Sequence, residues 1–507
     1  MGIPSYYTQI IKNYKILQVL SSNPEYFYID SNSIIYDIVN HFKFEKETDF
    51  DNKIIELTIQ KLEECINMLN PGHTVIAFDG VAPFAKLSQQ RQRRFKSYYQ
   101  NKVKKSIFKN TQYMISDYWD TSKITPGTEF MKLLSEKLKS HFQNVVISTS
   151  DEYGEGEHKI FDWIRKNHTE GGFKPTDKHL IYGLDSDLIM ISMMNLDIVP
   201  NIFLFRETPH YVKTIDPTLD ENEKYSINIS ELSKQIMVEM GGNDITIIHD
   251  YVFISFMLGN DFLPHFPALN IRTGGIQKII SAYKETYEQI VVINRNSKNV
   301  IFFWDSFKKF ITILSSMEEL YIQEEFSLRE RKSNYKYPEN TPENKFRKFE
   351  NTPSIDRSVE KHINPFKKGW ELRYYDSLFD NSRKIENDYI QGLKWNLMYY
   401  TFGCTDWNWC YKHNYPPLIK DIVKYIGATE KIYWSPKRNK ITQMEQLCYV
   451  LPNNSLHLIP SDILKKLKKE WYVDDCTFSW AFCKYFWECH VELPEINFSE
   501  LRKLIKG

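Results

Sequence analysis

The chain has 507 residues, enough for two or three domains, and 42% of them are apolar, ample for a large core. Sixty-five basic residues balance sixty-five acidic ones, so overall charge indicates no nucleic-acid partner and any such signal must be local. The seven cysteines form no CxxC pair, which argues against a zinc ribbon, and no run of about 18 apolar residues predicts a membrane span.

The N-terminus, MGIPSYYTQIIKNY, lacks an apolar stretch of signal-peptide length, and a reducing, intracellular compartment fits the cysteine usage. To about residue 285, short apolar runs alternate with stretches of helical spacing. The runs at Tyr26–Ile29, Thr74–Phe78, Val145–Ser148, His179–Leu184 and Asn201–Phe205 read as strands. Ile54–Leu69, Phe130–Leu138 and Ile160–Arg165 read as helices. This alternation predicts an α/β fold: a mainly parallel sheet with helices on both faces. Residues 300–332 look helical. Residues 333–360 are polar, contain Pro338, Pro342 and Pro353, and are expected to form a mobile linker. Residues 361–507 are rich in Trp and Tyr and are expected to be mostly helical. The chain thus divides into a region 1–332, a linker 333–360 and a second region 361–507.

Acidic residues fall where strands end. Asp30 closes YFYID, Asp79 closes TVIAFD, and Asp185 and Asp187 follow HLIYGL. In an open α/β sheet the carboxyl ends of the strands share one rim, where ligands bind. Glu155 and Glu157, in GEGEHKIFDWI, and Asp261, in FMLGNDFLPH, add three further carboxylates. Any one of them alone reads as a cap or turn residue. All seven on one rim would repel one another, and divalent ions with oxygen ligands are the natural remedy. Two ions about 3.5–4 Å apart suit phosphodiester hydrolysis, with Mg²⁺ the default and Mn²⁺ the substitute.

Directly after Asp79 the chain turns basic: Lys86 to Lys109 carries nine Lys and Arg and no acid. On a helix Lys86, Gln90, Arg93 and Arg94 share one face, which suits a terminal phosphate. A solvated basic helix is the plainer reading of the charge alone.

These residues resemble the XRN family of 5′→3′ exoribonucleases. MGIPSYY, YIDSNSIIY, FDGVAPFAKLSQQRQRRF, ITPGTEFM, GEGEHKIFDWIR, GLDSDLIM, LFRE and GNDFLPHFP occur in family order. FKKGWELRYY, YIQGLKWNLMYYTFGCTDWNWCYKHNYPP and LPNNSLHLIP extend the likeness through the second region. The resemblance implies a PIN/5′-nuclease-like core completed into an active-site funnel by the second region. It implies that Asp30, Asp79, Glu155, Glu157, Asp185, Asp187 and Asp261 are the catalytic, metal-site acids. Lys86, Gln90, Arg93 and Arg94 would bind a 5′-monophosphate, excluding a cap or triphosphate. The expected activity is processive removal of nucleoside monophosphates from single-stranded RNA, by a cytoplasmic monomer with decapping machinery as a partner. Two departures stand out: Tyr36 occupies the place of a family His, and Phe84 that of a basic residue. The chain stops after the second region and lacks the zinc knuckle of the nuclear branch; a compact, AT-biased form of this kind suits a large DNA virus.

The aromatics are harder to place. Trp395, Trp407 and Trp409 sit in one segment and each reads first as core, but Trp407 and Trp409, two residues apart, cannot share one helical stripe, so one of them is expected to reach a base. Tyr36 is the expected other half of that clamp, although beside Ile34, Ile35 and Ile38 it also reads as a core residue. Two alternatives remain open at this point. A flap-type DNA nuclease would carry GEAEA-like acids and a helix-hairpin-helix where this chain has GEGEH and NDFLPHFPALNIRTGG. A non-catalytic RNA-binding scaffold would have lost a metal acid.

Overall fold

A computed structural model of the chain describes residues 2–41, 49–109, 119–183, 185–206, 219–220, 223–379, 385–428 and 440–506. Seven strands form the principal sheet: β1 (Leu17–Val19), β2 (Tyr26–Asp30), β3 (His73–Ala77), β4 (Val146–Ser148), β5 (His179–Tyr182), β6 (Ile202–Phe205) and β7 (Tyr225–Asn228). They lie in the order β1-β7-β6-β5-β2-β3-β4. The pairs β6–β5, β5–β2, β2–β3 and β3–β4 are parallel, while β7 and β1 extend the sheet antiparallel. The expected mainly parallel α/β sheet is therefore present, with all five predicted strands in its parallel part. Leu184, at the end of one predicted run, lies outside the described residues.

Alternation of side chains explains the two-sided burial. On β2, Tyr28 enters one core while Phe27 and Ile29 enter the other; on β5, Ile181 opposes Leu180 and Tyr182 in the same way. Helices α1 (Asn32–His41), α2 (Phe50–Leu69) and α4 (Glu129–His141) cover the second face. Helix α3 (Phe84–Phe108) runs out from the end of β3. Helices α5 (Gly156–Thr169) and α6 (Ser186–Met194) cover the first face. That first core continues without a break into α7 (Trp304–Ser333) and α8 (Ile385–Phe402). The two regions thus share one hydrophobic interior.

The stretch expected to be a linker differs from that expectation. It contains helices Pro342–Glu350 and Thr352–Ile355, followed by Ser358–Ile363 across its end. Its Arg357 is buried, as is Glu360 just beyond. Ion pairs help anchor the segment, with Glu360 binding Arg329 of α7 and Arg357 at 2.6 Å each, and Phe349 packs on Phe486 with ring centres 4.5 Å apart. Among the described residues the second region contains helices Trp370–Leu378, Ile385–Phe402, Ile419–Ala428, Gln443–Val450 and Ser461–Leu464, then a short antiparallel strand pair, Phe478–Ser479 with His490–Val491, and a last helix, Phe498–Lys506.

Candidate active site

The strand order switches between β2 and β5, since the chain leaves β2 toward β3 and β4 on one side and reaches β5 and β6 on the other. Ligands of open α/β sheets bind outside the carboxyl ends at such a point. Here those ends carry Asp30 on β2, Asp79 just after β3, and Asp185, the exposed N-cap of α6 after β5.

A backbone turn brings in the glutamates. Gly80 N–H donates to the Gly154 carbonyl at 2.8 Å, and Gly154 N–H returns a bond to Val81 at 2.9 Å. Buried Lys159 Nζ donates to the Phe78 and Thr149 carbonyls at 2.8 and 2.6 Å, pinning the ends of β3 and β4 together. Burial lowers this lysine to about 8. The turn then opens α5, whose Gly156 N–H donates to Asp79 Oδ1 at 2.7 Å. A Cβ at Gly156 would collide with Asp30 Oδ1, so any larger residue at this point of the GEGE motif would displace that carboxylate. Asn32 on α1 holds Asp79 as well, donating to Oδ2 at 2.8 Å and accepting from its N–H at 3.1 Å.

Six of the seven acids sort into two groups, and Asp185 stands apart, exposed at the N-cap of α6. Oxygens of Asp30, Asp79 and Glu157 lie within 4.8 Å of one another, the spacing of a hard-cation site. Burial raises the Asp30 carboxyl well above its usual range, and Asp79, Asp185 and Glu155 push it further. Glu157 is raised by burial and then by Glu155 and Asp30. The second group, Glu155, Asp187 and Asp261, is already engaged by protein groups. Lys86 Nζ, 7% exposed, pairs with Asp261 at 2.8 Å and with Glu155. Burial opposes charge on Lys86, but Asp261 and Glu155 outweigh it and hold the ammonium well above its usual range. Burial would also raise Asp261; Lys86, aided by Arg93, instead carries it below the carboxylate range. Tyr399 and Tyr400 of α8 donate their hydroxyls to Glu155, at 2.8 Å, and to Asp187. Asp187 is raised to about 6, chiefly by burial. His158 stacks on Tyr399 with ring centres 3.6 Å apart, and burial keeps its pKa well below the usual value.

The basic face of α3 runs from this cluster to the sheet's other side. Lys86 sits among the acids at its start, whereas sequence reasoning placed it only with the phosphate binders. Arg94 lies a further two turns along, near Tyr36 and Asp120, which oppose the lowering of its pKa by burial. One Arg94 bond goes to the Ile124 carbonyl at 3.4 Å, while its Nη1 and the side-chain oxygen of Gln90 are buried with no hydrogen-bond partner among the described residues. Tyr36 is half-buried on α1, beside the fully buried Ile34 and Ile35. Phe84, at the first turn of α3, faces away into an aromatic contact with Tyr449 and Phe498, 5.2 and 5.4 Å between ring centres. The basic side chain it replaces in the resemblance has become a docking point for the second region.

Of the tryptophans, Trp395 is fully buried, donates to the Asp406 carbonyl at 2.9 Å and stacks on Trp409 at 4.8 Å. Trp407 points elsewhere: its carbonyl accepts from Phe84 N–H at 3.0 Å, and its half-buried ring meets Tyr153 edge-on at 5.6 Å. Tyr399, Tyr400, Asn32 and Gly156 were not singled out from the sequence. The only signal was indirect, in the YY pair within a helix and the glycine between two glutamates.

A mainly parallel α/β sheet whose switch point carries close acidic side chains that could hold a metal ion, with a basic helix leading away, is the arrangement the comparisons with known proteins meet. The profile described as XRN 5′-3′ exonuclease N-terminus matches residues 1–208, and that described as Xrn1 helical domain matches 243–364 and 329–505. The chain belongs to the XRN 5′-3′ exonuclease family. It is 28% identical to human 5′-3′ exoribonuclease 1 over 91% of its own length and 31% of the relative's. For Saccharomyces cerevisiae 5′-3′ exoribonuclease 1 the identity is 25%, over 91% and 40%. For the Drosophila melanogaster 5′-3′ exoribonuclease 2 homolog it is 25%, over 94% and 65%. The chain therefore spans between about a third and two thirds of the length of these relatives. Among the described residues no helix is long and apolar enough to cross a membrane.

Proposed function

We propose that the protein is a processive 5′→3′ exoribonuclease that releases nucleoside monophosphates from single-stranded RNA bearing a 5′-monophosphate. The observation that carries this reading is the continuity of the acid cluster with the basic face of α3, through Lys86, in a chain of this family.

The donor set fits divalent ions: Asp30, Asp79 and Glu157 offer close oxygens, and the burial that raises Asp30 and Glu157 makes a counter-cation favourable. Asp185, Glu155, Asp187 and Asp261 complete the proposed site. The chemistry such ions supply when bound is activation of water and stabilisation of the leaving oxygen, with Mg²⁺ the expected ion and Mn²⁺ a substitute. The chain's own residues position the RNA. Gln90, Arg93 and Arg94 hold the terminal phosphate, and the unpartnered Arg94 Nη1 provides a donor for it. Lys86 links that pocket to Glu155 and Asp261 and offsets their charge. Tyr36 stacks on the first base. Trp407 or Trp409 is the proposed second wall; Trp409 stacks on Trp395, and Trp407 meets Tyr153 edge-on. The substrate requires a prior reaction that leaves a 5′-monophosphate, such as decapping in the cytoplasm.

The test compares 5′-phosphate, 5′-hydroxyl and 5′-triphosphate RNA, and single-stranded DNA, in Mg²⁺. Rapid loss of the 5′-phosphate RNA alone supports the reading; equal rates on all four, or preference for DNA, overturns it. Arg94→Ala is expected to reduce discrimination between 5′-phosphate and 5′-hydroxyl RNA at least about tenfold, since a charge-assisted bond contributes about 1.5–3 kcal/mol. An equal slowing of both substrates would make α3 a general electrostatic track.

Tyr36 makes a separate prediction. Its ring and not its hydroxyl should matter, so Tyr36→Phe should be nearly silent. Tyr36→Ala should shorten the run of nucleotides removed per encounter, because a stacking contact of roughly 1–3 kcal/mol is lost at each step. Product lengths under single-encounter conditions measure this, with a thermal melt as control; an unchanged distribution would leave Tyr36 a core residue.

A further inference from the structure

Helix α8 touches the acid cluster at three points, all on one face. Asn396, Tyr399 and Tyr400 stand at i, i+3 and i+4, the spacing of helical neighbours. Each reaches a different acid-bearing element. Asn396 Oδ1 accepts from Asn260 Nδ2 at 2.8 Å, and Asn260 in turn accepts from the N–H groups of Phe262 and Leu263 at 3.0 Å, fixing the loop that carries Asp261. Tyr399 donates to Glu155, at the start of α5. Tyr400 donates to Asp187, in the first turn of α6. Both tyrosines are buried, at 2% and 1% exposure.

Their rings are locked independently of those hydroxyls. Tyr399 packs between His158 and Trp395, with ring centres at 3.6 and 4.8 Å. Tyr400 packs edge-on against Phe256 at 5.1 Å. The hydroxyls are therefore delivered to fixed positions, and a phenol suits this task. It donates one hydrogen bond to a carboxylate without bringing a cation that would compete with a metal ion. Carboxylates that bind metal are themselves commonly oriented by such outer hydrogen bonds. Glu155 shows the arrangement in full: Oε1 accepts from Tyr399 while Oε2 faces Lys86.

We propose that Tyr399 and Tyr400 are positioning residues that set the divalent-cation affinity of the acid cluster by orienting Glu155 and Asp187, so that α8 of the second region tunes a site whose carboxylates all lie in the first. This rests on the reading that the acids hold metal. It gives the second region a role in cation affinity, separate from contact with RNA. The two hydroxyls act on carboxylates of different helices, so each contributes on its own.

The experiment is a Mn²⁺ titration of the full chain without RNA, following free Mn²⁺ by electron paramagnetic resonance. It compares the wild type with Tyr399→Phe, Tyr400→Phe and, as a control, Tyr374→Phe, whose buried hydroxyl donates to the Pro416 carbonyl instead. Thermal melts with and without Mn²⁺ accompany each. Tyr399→Phe and Tyr400→Phe should each weaken Mn²⁺ binding about 10-fold or more, within the range of about 10–100-fold for such outer-shell partners. Tyr374→Phe should leave Mn²⁺ binding unchanged whatever it does to the metal-free melt. If the wild type binds Mn²⁺ and both variants bind it equally well, this inference fails while the metal reading stands. If the wild type binds none, the metal reading itself fails and takes the inference with it. Either single variant carries the test should the other not fold.

Discussion

Glu157→Ala will abolish RNA turnover, by at least about 10²–10³-fold, while leaving RNA binding nearly intact. Glu157 is the residue shared by both close groupings of ligand atoms, one with Asp30 and Asp79 and one with Glu155 and His158. Losing one preorganised electrostatic group from a buried site costs about that factor. The RNA-binding groups of α3 and Tyr36 are on other elements, so affinity should persist. Nor should the variant unfold. The Glu157 carboxyl is raised, first by burial and then by Glu155 and Asp30. A carboxyl raised in the folded state carries no penalty below its unfolded pKa, near 4.3, where both states are protonated. The penalty develops as pH rises above that value and is full above the folded pKa. Removing the group therefore relieves repulsion at neutral pH, and the metal-free melting temperature at pH 7 should not fall for electrostatic reasons. Single-turnover rates, filter binding and a melt measure the three claims. Near-normal turnover in Mg²⁺ would remove Glu157 from the catalytic site.

The second large effect is on stability. Glu360→Ala should destabilise the protein by about 3–5 kcal/mol, the cost of leaving the buried Arg329 without its carboxylate partner, while Arg357 keeps Glu330 at 2.7 Å. Glu360 accepts from Arg329 Nε and Nη2 at 2.9 and 2.6 Å, from Arg357 Nε at 2.6 Å, and from Phe482 N–H at 2.8 Å. All three charged side chains are buried, at 2–6% exposure. The two arginines tie α7, the segment before Ser358 and the carbonyl of Cys483 to a single carboxylate. Replacing Arg329, Arg357 and Glu360 together by Met, Met and Leu should recover much of the loss, because no charge is then stranded. Urea unfolding measures both. A Glu360→Ala protein within about 1 kcal/mol of wild type would show that the segment is held by other contacts.

What was legible in the sequence followed from periodicity and from strand ends. Strands β2, β3, β5 and β6 lie inside the sheet and are largely buried on both faces, so they appear as unbroken apolar runs, and the exposed edge strand β4 was readable from its Val-Val-Ile run alone. β1 and β7 escaped because their sequences, LQV and YSIN, are interrupted by polar residues and show no apolar run, as suits strands at the sheet's antiparallel edge. Asp30, Asp79 and Asp185 were readable as a rim because position at a strand end fixes position in the fold. The partition of the acids was not readable. It depends on Lys86 turning into the cluster and on two phenols arriving from more than 200 residues away, at separations of 244 and 213. Tyr399 and Tyr400 look like core residues by type and spacing, and they are core residues; only their oxygens are functional. The segment 333–360 misled for a related reason. Order there comes partly from buried ion pairs and partly from Phe349 packing on Phe486, with ring centres 4.5 Å apart, and charged residues that will be buried look like charged residues that will be solvated.

The most direct test of the central claim follows the order in which one RNA is consumed. A single-stranded RNA with a 5′-monophosphate, labelled in separate samples at its first nucleotide and at its 3′ end, is incubated with the protein and Mg²⁺. The account predicts immediate release of the 5′ label as a nucleoside monophosphate, with the 3′-labelled strand shortening from its 5′ end and all hydrolysis stopped by a chelator. Internal fragments, early loss of the 3′ label, or undiminished cleavage in the chelator would contradict it.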